Sequence, residues 1–589
     1  MIVPMVKYDF VLHSKELPSF LQELQELGVV DTKRSSKPVD EHSSTLLEEI
    51  TRVTSVVKQL KKIKIDQSAP VDDALLAPHI ITRTEQLMEE KESTLLRKAK
   101  VLAEITVARP WKKWSKESLD RLGELKLTPH FYIVPEKKYS AEWEDQFPLS
   151  ILNQEDGRIY LVVLEQMGLP YHFPLQENRL PSASIEQLEN ELDQIERHLS
   201  HIQSEFEKLS LSIDLITSYR AELISQLDLY LAGKGSVSAV EDTLSIVTAF
   251  VPKPQQPDFE AFITNTERLY ISEAASIEDD PPIKLKNNWF ARLFEPIGDM
   301  FMPPVYNELD VTPYFAPFYM IFFGFCLGDL GYGLVLILAG IIAKRVMPKM
   351  KSIFSLMQLL GIGCLIVPAL SGAFFGFKIG ELLGIEGFFF DDLKMFWLAI
   401  ALGGVQIIFG KLVQAFDSMK RKGFQYGLAP LGWALLMIGL ALLVGIKILS
   451  LPIPSIVLPV TFYLGGFLVI FFTSDSKNIF ARMGKALASI MDITGLFGDL
   501  LSYIRLFGLG AAGGILGYVV NTVGGMVWKV PYAGYLIGGL VFVFGHIAVL
   551  ALSSLGALIH PMRLTFVEFY KNVGFTGGGR PYKPLKKNE

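Results

Sequence analysis

Cysteine is close to absent: Cys326 and Cys364 are the two in 589 residues, and both fall in apolar segments. That excludes a disulfide framework and cysteine pairs at metal-ligand spacing. Positive charge is not in excess either. Lys and Arg number 56 against 62 Asp and Glu, a net charge of −6, so nothing points to a nucleic-acid partner. No GxxxxGK[ST] pattern occurs, which removes a P-loop nucleotide site. The Gly577–Gly579 run before Arg580 lacks a preceding strand and a following helix and reads as a flexible tail. The opening MIVPMVKYDFVLHS has neither the basic start nor the continuous apolar core of a secretion signal, so the polar half is expected to stay in the cytoplasm.

What the chain has in quantity is hydrophobic residues, 50% of the total with a mean hydropathy of +0.32, and they are unevenly divided. The chain is charged up to residue 300, while 313–573 is a series of long apolar segments. The division predicts an α+β cytoplasmic half followed by an all-α polytopic membrane domain. In the first half, Val3–Leu12 and Val29–Lys33 have strand character around an amphipathic helix at Leu17–Leu27, and Leu244–Val251 with Phe259–Ser272 supplies strand–helix–strand material. Together 1–40 and 241–278 are read as a membrane-proximal α/β lobe, and 127–181, with FYIVP and IYLVVLE, as a distal α/β lobe. Between them, Leu46, Ile50, Val53, Val57 and Leu60 step by four and three, and Ile81, Met88, Leu95 and Leu102 recur every seven. The same alternation runs from Ile185 to Tyr230, broken only at Arg220. It predicts one helix of about 48 residues, roughly 70 Å long at 1.5 Å per residue. That is too long for a globular helix, so 41–126 and 182–232 are expected to pair as a long antiparallel coiled-coil arm joining the two lobes. A linker at 279–312 leads to the membrane domain at 313–573, and 574–589 is a cytoplasmic tail.

Hydropathy alone gives seven apolar blocks, which would set the termini on opposite sides and turn the basic loop of Lys344, Arg345, Lys349 and Lys351 outward. Breaking the first block at GDLGYG, residues 328–333, gives eight helices. Those basic residues then face inward with Lys420–Lys422, Arg482, Lys485 and the tail lysines, while Glu381, Glu386, Asp391 and Asp392 face out. Both termini are then cytoplasmic. The last two blocks, 490–527 and 532–569, run to 38 residues each. A simple crossing needs about 20, so these two helices are expected to be tilted or bent.

Arg505 lies deep in the first of these two blocks. A guanidinium cannot lose its proton, and a charge at a bilayer centre costs between about 2.5 and 17 kcal/mol on different scales. Such a residue needs a water-filled path or a carboxylate partner. Asp499 and Asp492 precede it, and the final block carries Arg563, His560, Glu568, His546 and Ser553. For Glu568, Asp492, Asp499 and Arg563 the competing reading is interfacial snorkelling or structural ion pairing, and for the two histidines a satisfied place in the core. Gly508, Gly510, Gly513 and Gly514 are read as sites of close helix approach.

SYIRLFGLG at 502–510 and IHPMRLTFVEFYKNVGF at 559–575 resemble the stator membrane subunit of V/A-type rotary ATPases, called subunit a in vacuolar enzymes and subunit I in bacterial and archaeal ones. PVYNELDVTPYF at 304–315 and FGFCLGDLGYG at 323–333 extend the resemblance. It implies that Arg505 meets carboxylates on a rotor ring of small membrane subunits and displaces a transported H+ or Na+, with Arg563 as a second arginine and Glu568 in a half-channel. Asp499, Asp492, His560, Ser553 and His546 are the further polar candidates along the ion path. It also implies peripheral stalk subunits on the cytoplasmic lobes and an ATP-hydrolysing head on partner subunits, with no nucleotide or other cofactor on this chain. The compact loops resemble prokaryotic members, which implies a prokaryotic plasma membrane. The sequence departs from the pattern at Ser553, where many eukaryotic members carry glutamate, and at Asp492, which is slightly out of register. From the residues alone, a secondary transporter with a cytoplasmic coiled-coil regulatory domain and a membrane scaffold remain open alternatives.

Overall fold

The computed structural model describes residues 1–34, 37–63, 77–111, 114, 116–166, 172–181, 183–239, 243–264, 266, 268–385, 388–449, 452–473, 490–532 and 534–587. Arg482, Lys485 and Glu386 of the charge-based topology lie outside them. Residues 1–13, 29–32 and 238–584 form one compact unit, and 14–28, 33–237 and 585–589 form another.

In the second unit, strands Leu127–Pro135, Arg158–Gln166 and Leu149–Glu155 form an antiparallel sheet with Arg158–Gln166 in the centre. The tight connection at Asp156–Gly157 has both residues at positive φ, the conformation that Asp-Gly hairpins supply. Tyr132, Val134, Leu161 and Val163 bury one face against Phe173. The rest of the unit is helical. Glu41–Leu60, Ala77–Ala108, Ile185–Ser210 and Ile213–Lys234 enclose a core that includes Val53, Val57, Ile81, Phe206 and Ile216. Capping boxes start two of them, Asp40 with Ser43 and Ser184 with Gln187. The single 48-residue helix expected from the heptads is not formed; it divides at Leu211–Ser212. Leu211 and Ser212 donate to carbonyls three residues back, and the Ser210 hydroxyl bonds the Glu207 carbonyl at 2.7 Å. Serines that compete for backbone acceptors in this way tighten and end a helical run that apolar spacing alone would continue.

In the first unit, Met5–His13 is the middle strand of an antiparallel sheet, flanked by Leu244–Pro252 and Tyr270–Ala274, with the short Asp31–Thr32 strand beyond Leu244–Pro252. Its alternate residues Tyr8, Phe10 and Leu12 are buried, the period-two pattern of a half-buried strand, and Tyr8 packs edge-on against Phe259 of the Gln256–Thr264 helix.

The same unit contains the apolar helices. Among the described residues, five are long and apolar enough to cross a bilayer: Pro348–Ser371, Asp392–Arg421, Phe424–Lys447, Ile493–Trp528 and Gly534–Val573. Thr312–Leu327 and Val457–Phe472 are shorter apolar helices. The chain breaks at Gly328, which is left-handed (φ 68°), and Asp329 then caps the Leu330–Val346 helix by accepting from the Tyr332 N–H. Backbones approach closely here: a Cβ on Gly324 would lie 2.1 Å from the Gly363 carbonyl oxygen. Around this contact Phe315, Tyr319, Phe322 and Phe325 fill the core together with Tyr503 and Leu506.

The sheet is tied to the apolar helices by buried polar groups. The Tyr306 hydroxyl accepts from the Met5 N–H and donates to the Met5 carbonyl, and the Met1 ammonium lies 2.7 Å from the buried Asp310. The tail expected to be flexible is fixed over 574–584. Glu308 accepts from the N–H groups of Thr576 and Gly577, Arg580 pairs with Asp31 at 2.7 Å, and Pro581 bridges Ile283. Glu308 and Asp31 are 7% and 1% exposed, so each carboxylate has to be matched by donors, and the tail provides them.

Candidate functional site

The helix that carries Arg505 is one 36-residue run, Ile493–Trp528, with a tightened turn in it. Tyr503 N–H bonds the Leu500 carbonyl and Leu506 N–H bonds the Tyr503 carbonyl, three-residue spacings in place of four. A 3₁₀ turn inside a helix changes the phase of the residues beyond it. Arg505 lies within it, between Tyr503 and Leu506. Its side chain is half-buried, with Nη1 fully enclosed and without a hydrogen-bond partner among the described residues.

The last helix runs antiparallel alongside and supplies the facing groups. Pro561 lies within it, and Leu564–Phe569 opens into a π turn. Hydrogen bonding to the fifth residue brings positions five apart to the same side, where an α-helix would set them about 140° apart. The turn joins Arg563, which is exposed, to Glu568, which is 2% exposed. Arg505 and Arg563 both act electrostatically on Glu568 and on His560, and Ser502 interacts with the Glu568 carboxyl. Glu568 Oε2 is enclosed without a partner among the described residues. Of the residues singled out in the sequence, Arg505, Arg563, Glu568 and His560 thus share one neighbourhood. Ser553 lies further along the pair, where a Cβ on Gly513 would be 3.4 Å from its hydroxyl.

Asp499 is engaged otherwise. Both its oxygens are 3.1 Å from Lys571 Nζ, and Asn572 donates to it at 3.0 Å. The group therefore ties the start of the Arg505 helix to the end of the last one. Asp492 is in the first turn of the Ile490–Ser502 helix, and its side chain lies outside what is described. His546 belongs to a separate buried network. Asn521 donates to the Phe375 carbonyl, which orients its amide so that Oδ1 accepts from His546 Nε2 at 2.9 Å. Nδ1 is then left to accept from the Tyr332 hydroxyl at 2.8 Å. Asp329, fully buried, accepts from Phe375 and Gly376 N–H beside it. Of the four glycines read as close-approach sites, Gly510 and Gly513 lie against the Phe325 and Leu327 carbonyls, whereas a Cβ on Gly508 or Gly514 would meet nothing within 4 Å among the described residues.

Lys571, Asn572, Asn521 and Tyr332 were not singled out by sequence; Lys571 and Asn572 stand inside the 559–575 motif but only the fold pairs them with Asp499. Among the described residues no group of three or more His, Cys, Asp or Glu could hold a metal ion.

No protein-family model matches the chain. It is 24% identical to the V-type ATP synthase subunit I of Borreliella burgdorferi, over all of both chains. It is 21% identical to the V-type ATP synthase subunit I of Chlamydia pneumoniae, over 99% of this chain and 96% of that one. Over its full length the chain is thus similar to V-type ATP synthase subunits I. The A-type ATP synthase subunit I of Pyrococcus horikoshii is 32% identical over 54% of this chain and 49% of its own, about half the length of that relative. Among solved structures, the cytoplasmic N-terminal domain of subunit I, homolog of subunit a, of V-ATPase aligns with 45% of this chain at 17% identity and a TM-score of 0.20, too loose a superposition to bear on the fold.

Proposed function

We propose that the chain is the membrane stator subunit of a V/A-type rotary ATPase and forms its cation path against a rotor ring. The observation that carries this reading is a half-buried guanidinium, Arg505, with an enclosed and unused Nη1 donor, set beside Glu568, His560 and Arg563 on two long apolar helices of a subunit I homologue. Gly508 and Gly514 leave the same helix open to close approach from outside the chain. A ring carboxylate arriving there would find a fixed positive charge that favours its ionised form, and so would give up its H+ or Na+. The same charge repels free cations and so blocks leakage between two half-channels. Glu568 and His560 supply polar groups on one path, and Ser553 and His546 extend it along the last helix.

In this reading the apolar helices make eight crossings with both termini cytoplasmic. The four long helices of the other unit form the arm between lobes 1–40 with 241–278 and 127–181, on which peripheral stalk subunits are held. ATP is hydrolysed or made on partner subunits, and this chain binds no nucleotide. Replacing Arg505→Ala tests the assignment. The complex should assemble, and ATP-driven ion uptake into vesicles should be abolished; uptake at the wild-type rate would refute it.

A further inference from the structure

Gln406 lies 97 residues before Tyr503, on the Asp392–Arg421 helix, and is fully buried among apolar side chains. Its carboxamide oxygen accepts the Tyr503 hydroxyl at 2.6 Å. Tyr503 is itself fully buried and sits at the tightened turn, two residues before Arg505. Its ring rests on Gly403, where a Cβ would come within 2.3 Å of ring carbon Cγ, and meets Phe322 edge-on at 5.7 Å. Gly403 and Gln406 are one helical turn apart on the same face, so one grips the ring and the other its hydroxyl.

We propose that Gln406 is a positioning residue for Arg505: through Tyr503 it fixes the tightened turn and hence the direction in which the guanidinium leaves the helix. A 3₁₀ turn held only by its own backbone can relax to α geometry, which would rotate every later residue about the axis. The buried hydroxyl opposes this, because rotation would leave two enclosed polar groups without partners. This inference rests on the function proposed for Arg505, but the geometry it asserts can be measured without ion transport.

The reporter is a cysteine pair beyond the turn. A Cβ on Gly513 would be 3.9 Å from that of Ser553, within the range a disulfide needs. In membranes carrying the assembled complex, Gly513→Cys with Ser553→Cys should cross-link readily under mild oxidation. Adding Gln406→Leu or Tyr503→Phe should slow cross-linking about fivefold or more, and combining the two should slow it no further. Gln406→Glu, whose protonated carboxyl keeps the acceptor, should restore it. Without the cysteines, Gln406→Leu and Tyr503→Phe should also lower ATP-driven uptake, measured with a pH-sensitive dye or radioactive sodium, and Gln406→Glu should recover it. Cross-linking and uptake at wild-type levels in both single variants would overturn the proposal. If cross-linking falls as expected while Arg505→Ala still transports, the positioning role stands and the function assigned to Arg505 falls.

Discussion

Removing the Arg580 guanidinium should release the tail from the sheet. Asp31 is 1% exposed, and one oxygen is 2.7 Å from Arg580 Nη1 while the other accepts the Lys583 N–H at 2.6 Å. Arg580→Met keeps much of the side-chain volume over Phe250 but leaves a buried carboxylate with its counter-charge gone. Breaking one partner of a buried pair costs about 3–5 kcal/mol. The Arg580 side chain is 25% exposed, so water relieves part of this and the remaining cost is about 2–3 kcal/mol. A penalty of that size raises local opening by about 30- to 150-fold.

Three amides report on the tail: Ile283 donates to the Arg580 carbonyl at 2.6 Å, Tyr582 to the Ile283 carbonyl at 2.9 Å, and Lys583 to Asp31. Hydrogen exchange of peptides covering 280–286 and 574–584 should accelerate by that factor in Arg580→Met, with exchange in the Met5–His13 strand unchanged. Adding Asp31→Asn should recover part of the protection, since the uncompensated charge is then removed as well. Exchange within about twofold of wild type in Arg580→Met would refute the argument and leave other contacts, such as the Tyr582 hydroxyl on the Val29 carbonyl, as what holds the tail.

Two further outcomes are expected. Gly324→Ala should destabilise the detergent-solubilised protein by about 1–3 kcal/mol, because its Cβ meets a backbone carbonyl, while Gly508→Ala, which meets nothing among the described residues, should unfold at or slightly above the wild-type midpoint. Asp279, bonded by the Ser276 N–H and paired with Lys7, is held down to about 2 from an ordinary 3.8; its contribution is present above the ordinary value and lost as pH falls through about 2, so sheet amides should lose protection across that window in wild type but not in Asp279→Asn.

The first strand and helix were legible because their signals are local. Tyr8, Phe10 and Leu12 alternate, Leu17–Leu27 is amphipathic, and both features fold as read. The break at Gly328 could be inferred from charge on the loops, since a helix crossing there would have put Lys344 and Arg345 on the wrong side. The long helix at 185–230 misled because heptad spacing ignores serine hydroxyls that capture backbone carbonyls. Arg505 could be flagged from cost alone, but its surroundings could not. Tyr503 with Gln406, Asp499 with Lys571, and His546 with Tyr332 join residues 72 to 214 positions apart, and single-sequence reasoning has no term for such pairs.

These distant pairs share a direction. Three buried carboxylates from earlier in the chain, Asp499, Glu308 and Asp31, take their donors in order from Lys571 and Asn572, then Thr576 and Gly577, then Arg580 and Lys583. Each would be costly to leave unmatched, so residues 571–583 cannot lift away one contact at a time without exposing or stranding a charge. The stretch begins a few residues after Arg563 and Glu568 and ends on the Asp31–Thr32 strand. Any sideways load on Arg505 or Arg563 is therefore shared with a β-sheet rather than borne by two helices in lipid. If Arg505 acts as proposed on a passing carboxylate, it has to stay put while that carboxylate passes, and a relay of buried carboxylates to a sheet supplies the stiffness this requires.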